Sequence, residues 1–147
     1  MLKTGEEHIQ TLRDGRAIYL HGRRVEDASV HPAYRNAIQS VAKLYDFQSA
    51  PSNRELMTFT TETGGVANRI WQLPETYYQL RQRRQAIEAW YGLHCGFLGR
   101  APDHVASCIS GMYMGLDVFE AYDPKRAAAV SDYFKYARDN NIYLTYV

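Results

Sequence analysis

The sequence predicts a mainly α-helical domain with one small β-hairpin, and three observations support this prediction. Apolar residues recur at steps of three and four along several long stretches, which is the spacing of one helix face. Prolines open these stretches, where the first helical position tolerates them: Pro32, Pro74, Pro102 and Pro124. Short β-prone runs flank His21-Gly22. The length of 147 residues suits one domain with a hydrophobic core, so we expect residues 1–147 to form a single domain.

The N-terminal residues predict a short helix followed by the hairpin. Thr4 and Glu7 have the spacing of a capping box, which satisfies the first backbone N–H groups of a helix. We expect this helix to stop by Gly15. Residues 17–20 and 23–25 are rich in strand-forming side chains, and a two-residue connection favours their antiparallel pairing.

A longer helix is predicted next, from Pro32 to about Phe47. The loop that follows contains Pro51 and polar neighbours, which are typical of irregular structure. Residues 56–60 are predicted to be extended, ending near Gly64-Gly65.

Three further helices are predicted in the second half of the chain. The first begins at Pro74 and carries arginines on its polar face: Arg81, Arg83 and Arg84. The second begins at Pro102 and has apolar residues at helical spacing: Val105, Ile109, Met112 and Leu116. The third runs from Pro124 to about Asn140-Asn141. Residues 142–147 are apolar and β-prone, so we expect a terminal strand that leads into a β domain missing from this chain.

Composition excludes several classes of function. There are 17 Lys+Arg and 16 Asp+Glu residues, so the balance gives no reason to expect nucleic acid or a membrane surface as partner. No stretch has the ~18 consecutive apolar residues of a transmembrane helix, and no signal peptide is visible. Cys95 and Cys108 match no metal motif, and we expect both to be buried thiols of a cytoplasmic protein.

The best candidate site is Gly99-Arg100-Ala101-Pro102-Asp103-His104. Pro102 suits the first position of a helix, so Asp103 and His104 lie in the first turn, where the helix dipole favours a carboxylate and a neutral imidazole. A neutral histidine accepts a proton or hydrogen bond, and a nearby arginine stabilises a developing oxyanion. The alternative is structural: Arg100 is then a solvated residue before a helix, and His104 a surface histidine.

Other charged or small-residue segments are weaker candidates. Residues 81–84 have the charge to bind phosphate, but a run of arginines on a helix is more often a solvated face. His94 beside Cys95 lacks a second pair of ligands, so no metal site is expected. Neither a dinucleotide fingerprint nor a P-loop occurs.

Four segments, taken in order, carry a resemblance to a known family. They are Lys3-Thr4-Gly5-Glu6-Glu7 with Leu12-Arg13-Asp14-Gly15-Arg16, His31-Pro32-Ala33-Tyr34-Arg35-Asn36, Gly99-Arg100-Ala101-Pro102-Asp103-His104-Val105, and Ala137-Arg138-Asp139-Asn140-Asn141-Ile142-Tyr143-Leu144-Thr145. Together they resemble the N-terminal domain of the 4-hydroxyphenylacetate 3-monooxygenase oxygenase family. Several ordered motifs are more specific than any one of them.

The resemblance implies an acyl-CoA-dehydrogenase-like fold in which this helical domain precedes a β domain and a C-terminal helical bundle. It also implies a reaction: a phenol is hydroxylated with O2 by reduced FAD, or reduced FMN in some relatives. A separate NAD(P)H-dependent reductase supplies the flavin. The full-length enzyme is expected to form dimers or tetramers, and its flavin-binding segments are expected beyond Val147.

Residue by residue, the resemblance implies that Arg100 contacts the phenolic oxygen. His104 replaces a family tyrosine, and Tyr146 replaces a family histidine, so the resemblance leaves open which phenol is bound and which residue is the base. Ala101, Pro102 and Asp103 belong to the same substrate-binding segment. Two alternatives stay open. One is a 4-hydroxybutyryl-CoA dehydratase, an enzyme that needs cysteine ligands for an iron–sulfur cluster. The spacing of Cys95 and Cys108 does not match that of these ligands. The other is a non-catalytic helical interaction domain or truncated relic.

Overall fold

Seven α-helices and two antiparallel hairpins make up the part of the chain that the computed structural model describes, residues 2–98 and 103–145. The predicted mainly helical class is confirmed. None of the helices in those ranges is long and apolar enough to cross a membrane. The chain forms two compact units, Met1–Asn53 and Arg54–Val147.

The first unit begins with the predicted helix and hairpin. Its elements are α1 (Gly5–Thr11), β1 (Ile18–Leu20), β2 (Arg23–Val25), α2 (Arg35–Ser49) and a 3-10 turn at Pro51–Asn53. The capping box is confirmed, because Glu7 N donates to Thr4 Oγ1 at 3.2 Å and Thr4 N donates to Glu7 Oε2 at 2.7 Å. His21 and Gly22 both adopt positive φ, as a two-residue type I′ turn requires.

Helix α1 approaches α2 closely at a glycine. A Cβ atom on Gly5 would lie 2.6 Å from the carbonyl oxygen of Ala42, so a larger residue does not fit there. Gly5 N donates to Asp46 Oδ1 at 2.8 Å, which satisfies a backbone donor at the start of α1. One turn further on, His8 stacks on Tyr45 with ring centroids 4.5 Å apart. Tyr45 is buried, so this stack is part of the unit's core.

Helix α2 starts later than the sequence predicted. The prediction placed Pro32 at the first helical position, but the helix begins at Arg35. Residues 32–34 instead form a turn closed by His31, whose carbonyl oxygen accepts from Tyr34 N at 3.0 Å and from Arg35 N at 2.9 Å. The His31 ring adds a bond from Ala33 N to Nδ1 at 3.2 Å. This local competition with the helix is invisible in an apolar spacing pattern.

The second unit contains the remaining helices and the second hairpin. Its elements are α3 (Arg54–Met57), β3 (Thr58–Thr60), β4 (Val66–Asn68), a 3-10 turn at Arg69–Trp71, α4 (Tyr77–His94), α5 (Asp103–Met114), α6 (Leu116–Tyr122) and α7 (Pro124–Asp139). The predicted extended run is correct only for its last three residues, since Leu56 and Met57 belong to α3. Strand β3 pairs with β4 in the register Thr58–Asn68.

Caps and breaks explain where these helices start and stop. Helix α4 begins after Thr76, which forms a capping box with Gln79. Helix α7 begins at Pro124 as predicted, with Asp123 as its N-cap. The single helix predicted from Pro102 through Leu116 is confirmed for Asp103–Met114 and is wrong only at its end, where Gly115 separates α5 from α6. Glycine costs about 1 kcal/mol relative to alanine in a helix interior, which favours a break at this point.

The core of the second unit is built around the Arg69–Trp71 turn. Trp71 and Phe134 are each 1% exposed, and their rings meet edge to face with centroids 6.0 Å apart. Phe134 also stacks on Tyr113 at 4.3 Å. A buried alanine on each of three helices allows close packing: Ala86 on α4, Ala106 on α5 and Ala137 on α7. Aromatic contacts therefore join the turn to α5 and α7.

Helix α7 ends where the sequence predicted. Asn141 adopts a left-handed conformation, and Ile142 N donates to the carbonyl oxygen of Ala137 at 3.0 Å, which closes the last turn. Residues 142–145 form no strand in the structure as described, and residues 146 and 147 lie outside the described residues. The terminal strand therefore stays a prediction.

The two cysteines are not buried, so that expectation is wrong. Cys95 is exposed and lies in a left-handed conformation at the C-cap of α4, next to Gly96, which also has positive φ. Cys108 is exposed on α5. Both thiols sit on segments that face solvent within the second unit. The expectation of burial reflected the usual behaviour of a cysteine without a metal or redox motif, which is that of a small buried hydrophobe.

Replacing Phe134 by alanine is expected to destabilise the chain by about 3–5 kcal/mol, because it removes a fully buried ring that contacts Trp71 and Tyr113. Chemical denaturation followed by far-UV circular dichroism measures the change. Tyr136→Ala on the same helix is the control, since Tyr136 is 56% exposed, and its effect should stay within about 1 kcal/mol. Equal losses for both variants would contradict the assigned core.

The first unit is expected to lose stability in mild acid through His8. Burial, aided by the charge of Lys3, lowers the pKa of His8. The unfolded chain therefore binds the proton more readily, and this contribution is present above the ordinary histidine pKa and lost as pH falls below it. His8→Phe, which keeps a ring against Tyr45, should show a smaller loss between about pH 7 and pH 5. An identical pH dependence in both proteins would refute the assignment.

Candidate functional site

The predicted site falls partly within the described residues. Arg100, Ala101, Pro102 and Tyr146 lie outside them. Asp103 and His104 are described, and both lie in the first turn of α5, as the sequence predicted. The surroundings of these two residues in the second unit therefore define what this part of the site can do.

Asp103 is held against α4. Its Oδ1 atom accepts a hydrogen bond from the hydroxyl group of Tyr91 at 3.2 Å. As the first residue of α5, its carboxylate also lies where the helix dipole favours a negative charge. Burial, together with the charge of Asp103 and the bond to it, raises the pKa of Tyr91. Tyr91 therefore remains a hydrogen-bond donor at neutral pH.

His104 lies on a different face of α5 from Asp103. Its imidazole is exposed, and its Nε2 atom lies 3.9 Å from Cys108 Sγ, one helical turn further along. The imidazole therefore lies on the solvent-exposed side of α5 at the start of the helix. The histidine and the thiol thus share an outward-facing surface of this helix.

Arg83 corrects the prediction of a solvated arginine face on α4. Arg81 and Arg84 are exposed as expected, but Arg83 is half-buried. Its Nε donates to the carbonyl oxygen of Ile70 at 3.0 Å, and its Nη2 donates to Ser107 Oγ at 2.7 Å. Burial lowers the pKa of Arg83, while the charge of Asp103 raises it. The Arg83 guanidinium group therefore forms hydrogen bonds within the second unit, and it does not form a phosphate site with Arg81 and Arg84.

The C-terminal end of α4 leads toward the undescribed part of the motif. The rings of Tyr91 and His94 are tilted against each other with centroids 5.1 Å apart. His94 Nδ1 accepts from Leu98 N at 3.4 Å, which holds the turn that follows α4. The same aromatic pair therefore borders both Asp103 and the residues immediately before Gly99.

The end of α7 is fixed by a buried arginine. Arg138 donates to both carboxylate oxygens of Glu62, at 2.8 and 2.9 Å, and to Asp139 Oδ1 at 2.7 Å. Glu62 lies between β3 and β4, so the pair ties that hairpin to the end of α7. Burial raises the pKa of Tyr143 to about 12, four residues beyond the helix. This anchored segment immediately precedes Tyr146.

Sequence reasoning missed the residues that orient α5. Arg83, Tyr91 and Ser107 each seemed to belong to an ordinary helix face, and only their non-local bonds distinguish them. One signal was available: Asp103 and Ser107 are polar and four residues apart, on a helix whose other positions are largely apolar. That spacing indicates a polar strip that needs partners.

No group of three metal-ligating side chains occurs among residues 2–98 and 103–145. A cleft of about 320 Å³ in the first unit is lined by Arg13, Arg16, Asp27 and their neighbours. Arg13 pairs with Asp27 at 3.2 Å, and Arg16 pairs with Asp14. These charges satisfy one another, and the lining lacks the aromatic surface that suits a flavin ring.

Comparison with known proteins establishes the family. The family described as 4-hydroxyphenylacetate 3-hydroxylase N terminal matches residues 4–147. The chain belongs to this family. It is 36% identical over 145 residues to the 4-hydroxyphenylacetate 3-monooxygenase oxygenase component of Geobacillus sp. (strain PA-9), covering 98% of the chain and 29% of that relative. It is 35% identical over 145 residues to the 4-nitrophenol 2-monooxygenase oxygenase component of Rhodococcus sp., covering 97% and 27%.

Solved structures agree with the family. The chain is similar, at a TM-score of 0.86 and 30% identity, to a crystal structure of the oxygenase component of 4-hydroxyphenylacetate 3-monooxygenase complexed with FAD. The match covers 96% of this chain and 29% of that one, so the chain spans less than a third of its relatives. An archaeal 4-hydroxybutyryl-CoA dehydratase matches at a TM-score of 0.75 and 17% identity, which shows a shared fold. The predicted acyl-CoA-dehydrogenase-like helical domain is confirmed.

Replacing Arg83 by methionine is expected to cost about 1–3 kcal/mol of stability, because it leaves the Ile70 carbonyl group and the Ser107 hydroxyl group without their donor. Arg81→Met on the same helix is the matched control, with an expected change within about 0.5 kcal/mol because Arg81 is exposed. Thermal and urea unfolding of both proteins measure the difference. No difference between them would show that the Arg83 bonds are not formed in solution.

Proposed function

We propose that this chain forms the phenol-binding, N-terminal part of the oxygenase component of a two-component, flavin-dependent aromatic monooxygenase. The observation that supports this most is the family match over residues 4–147, together with relatives named for monooxygenation of 4-hydroxyphenylacetate and 4-nitrophenol. Two relatives with different phenols point to a phenolic substrate class and leave its ring substituent open.

Three residues carry the proposed chemistry. Arg100 stabilises the phenolate oxygen, His104 accepts the phenolic proton or a hydrogen bond from it, and Tyr146 lines the pocket. Ala101 and Pro102 supply the backbone between the arginine and α5. The exposed position of His104 in the first turn of α5 supports its role, because a ligand can reach the imidazole.

Charge explains why a phenol needs this arrangement. A phenolate is a far better carbon nucleophile than a phenol, and its negative charge must be stabilised where water is excluded. An arginine supplies a fixed positive charge, and a histidine moves a proton near neutral pH. Asp103 orients Arg100 or caps α5, and its own Oδ1 atom accepts a hydrogen bond from Tyr91.

The proposal includes a cofactor and partners. Reduced FAD, or FMN, supplies the oxygen-transfer chemistry and comes from a separate NAD(P)H-dependent flavin reductase. The flavin-binding residues lie in segments of the relatives that follow the matched region, since the match covers 29% of the Geobacillus relative. We further propose that the full-length protein is cytoplasmic and assembles as a dimer or tetramer.

A non-catalytic interaction domain is the second candidate, and one observation favours it. Several large apolar side chains on α5 and α6 are exposed in the second unit: Met112, Met114, Val118 and Tyr122. Surfaces of this kind commonly mark interaction sites. If the chain associates with another protein and binds no phenol, this candidate replaces the first.

The monooxygenase proposal predicts that the chain stabilises a bound phenolate through Arg100. We expect 4-nitrophenol to ionise at lower pH when bound to the chain, and Arg100→Ala to abolish this shift. Spectrophotometric titration of the coloured phenolate measures it. Arg84→Ala, which removes an exposed arginine from α4, is the control and should leave the titration unchanged.

Turnover is tested by fusing the chain to the part of the Geobacillus relative that follows the matched region. With reduced FAD and O2, Arg100→Ala in this fusion should slow hydroxylation by about 10²-fold, the cost in kcat of removing one donor from an oxyanion site, and should thereby lower the product formed per O2 consumed. Unchanged coupling and unchanged phenol affinity in the variant would defeat the proposal.

A further inference from the structure

Helix α5 is tied to α4 at two points on one of its faces. Tyr91 donates to Asp103 Oδ1 at 3.2 Å, and Arg83 Nη2 donates to Ser107 Oγ at 2.7 Å. Residues four apart on a helix lie on the same side, so the two acceptors form one polar strip. Two bonds separated by a helical turn resist rotation of α5 about its axis in a way that one bond does not.

The two donors form a matching strip on α4. Arg83 and Tyr91 are eight residues apart, which is close to two full helical turns and places both on one side of the helix. Arg83 is itself fixed, because its Nε donates to the carbonyl oxygen of Ile70 at 3.0 Å. Ile70 is buried within the Arg69–Trp71 turn, so the donor strip is anchored in the core.

His104 and Cys108 occupy the next face of α5. Each follows a tied residue by one position, which is about 100° around the helix. Both are exposed, and their Nε2 and Sγ atoms lie 3.9 Å apart. If α5 rotated about its axis by one residue, or about 100°, the His104 side chain would no longer lie on this face. The direction in which the imidazole faces therefore depends on the tie to α4.

We propose that Arg83 and Tyr91 are positioning residues that set the rotation of α5 and thereby present His104 to the phenol. This inference rests on the proposed function for its substrate. Neither residue touches the phenol; Tyr91 acts through Asp103 and Arg83 acts through Ser107. The raised pKa of Tyr91 is consistent with a donor that keeps its proton over the working pH range.

The test uses variants that remove one hydrogen bond each with little change in shape. Tyr91→Phe removes the bond to Asp103, Ser107→Ala removes the bond from Arg83, and the double variant removes both. Ser107→Thr keeps a hydroxyl group and serves as the rescue. Tyr77→Phe is the control, since Tyr77 lies on the same helix α4 and is 77% exposed.

Two readouts on the 147-residue chain separate positioning from general stability. The first is the NMR signal of the His104 ring, assigned through a His104→Gln variant, which reports its surroundings without any ligand. The second is the affinity for 4-nitrophenol, measured below the melting temperature of every variant. We expect the double variant to shift the His104 signal and to weaken affinity by roughly tenfold, which is the loss that accompanies one broken hydrogen bond between the phenol and His104. Each single variant should show a smaller change, and Ser107→Thr should restore most of it.

Every outcome bears on the inference. If the His104 signal and the affinity are the same in the double variant as in the parent, Arg83 and Tyr91 do not position it. If the double variant does not fold, the two single variants carry the same comparison. If the parent chain binds no 4-nitrophenol, the proposed function fails, and the His104 signal alone still decides whether the tie orients α5. Equal shifts in Tyr77→Phe would also overturn the inference.

Discussion

The half-buried guanidinium group of Arg83 imposes the constraint on which the second unit depends. A cation leaves water only if its N–H groups find acceptors, and Arg83 finds one in the Arg69–Trp71 turn and another on α5. Those two bonds join α4, the core turn and α5. The aromatic contacts of Trp71 and Phe134 then attach α7 to the same centre. Packing supplies most of the stability, and the arginine supplies the direction in which α5 faces.

The same device recurs at two other places in the second unit. Arg69 is buried and donates to three backbone carbonyl groups, those of Leu56, Glu55 and Thr58. These bonds fix α3 and the start of β3 against the core turn. Arg138 ties the second hairpin to the end of α7 through Glu62. Arginine suits these positions because its planar group donates in several directions at once. The net charge of +1 therefore does not reveal that Arg69 and Arg138 are buried and form hydrogen bonds within the second unit.

Local signals in the sequence were sufficient for the elements that depend on neighbouring residues. The capping box at Thr4 and Glu7, the turn at His21-Gly22 and the start of α7 at Pro124 all follow from chemistry within a few positions. Errors arose where distant or competing contacts decide. The turn closed by His31 makes α2 start at Arg35 instead of Pro32. The hydrogen bond from Arg83 to Ser107 on α5 keeps the Arg83 side chain half-buried. Neither effect has a signature in the spacing of apolar residues.

The candidate site divides in the same way. The position of Asp103 and His104 at the start of a helix was predictable from Pro102 and the dipole argument, and the structure agrees. Their orientation was not predictable, because it depends on Tyr91 and Arg83, which lie 12 and 24 residues before their acceptors on α5. The roles of Arg100 and Tyr146 come from the family resemblance and stay predictions.

We propose that a phenol binds on the His104 face at the start of α5. The most direct measurement is intermolecular nuclear Overhauser effects between 4-nitrophenol ring protons and the isotope-labelled chain. We predict contacts from the phenol to the side chains of His104 and Arg100, with none to the exposed apolar residues Val118 and Tyr122 of α6. Contacts confined to α6, or to the charged cleft around Arg13 and Asp27 in the first unit, would contradict the account.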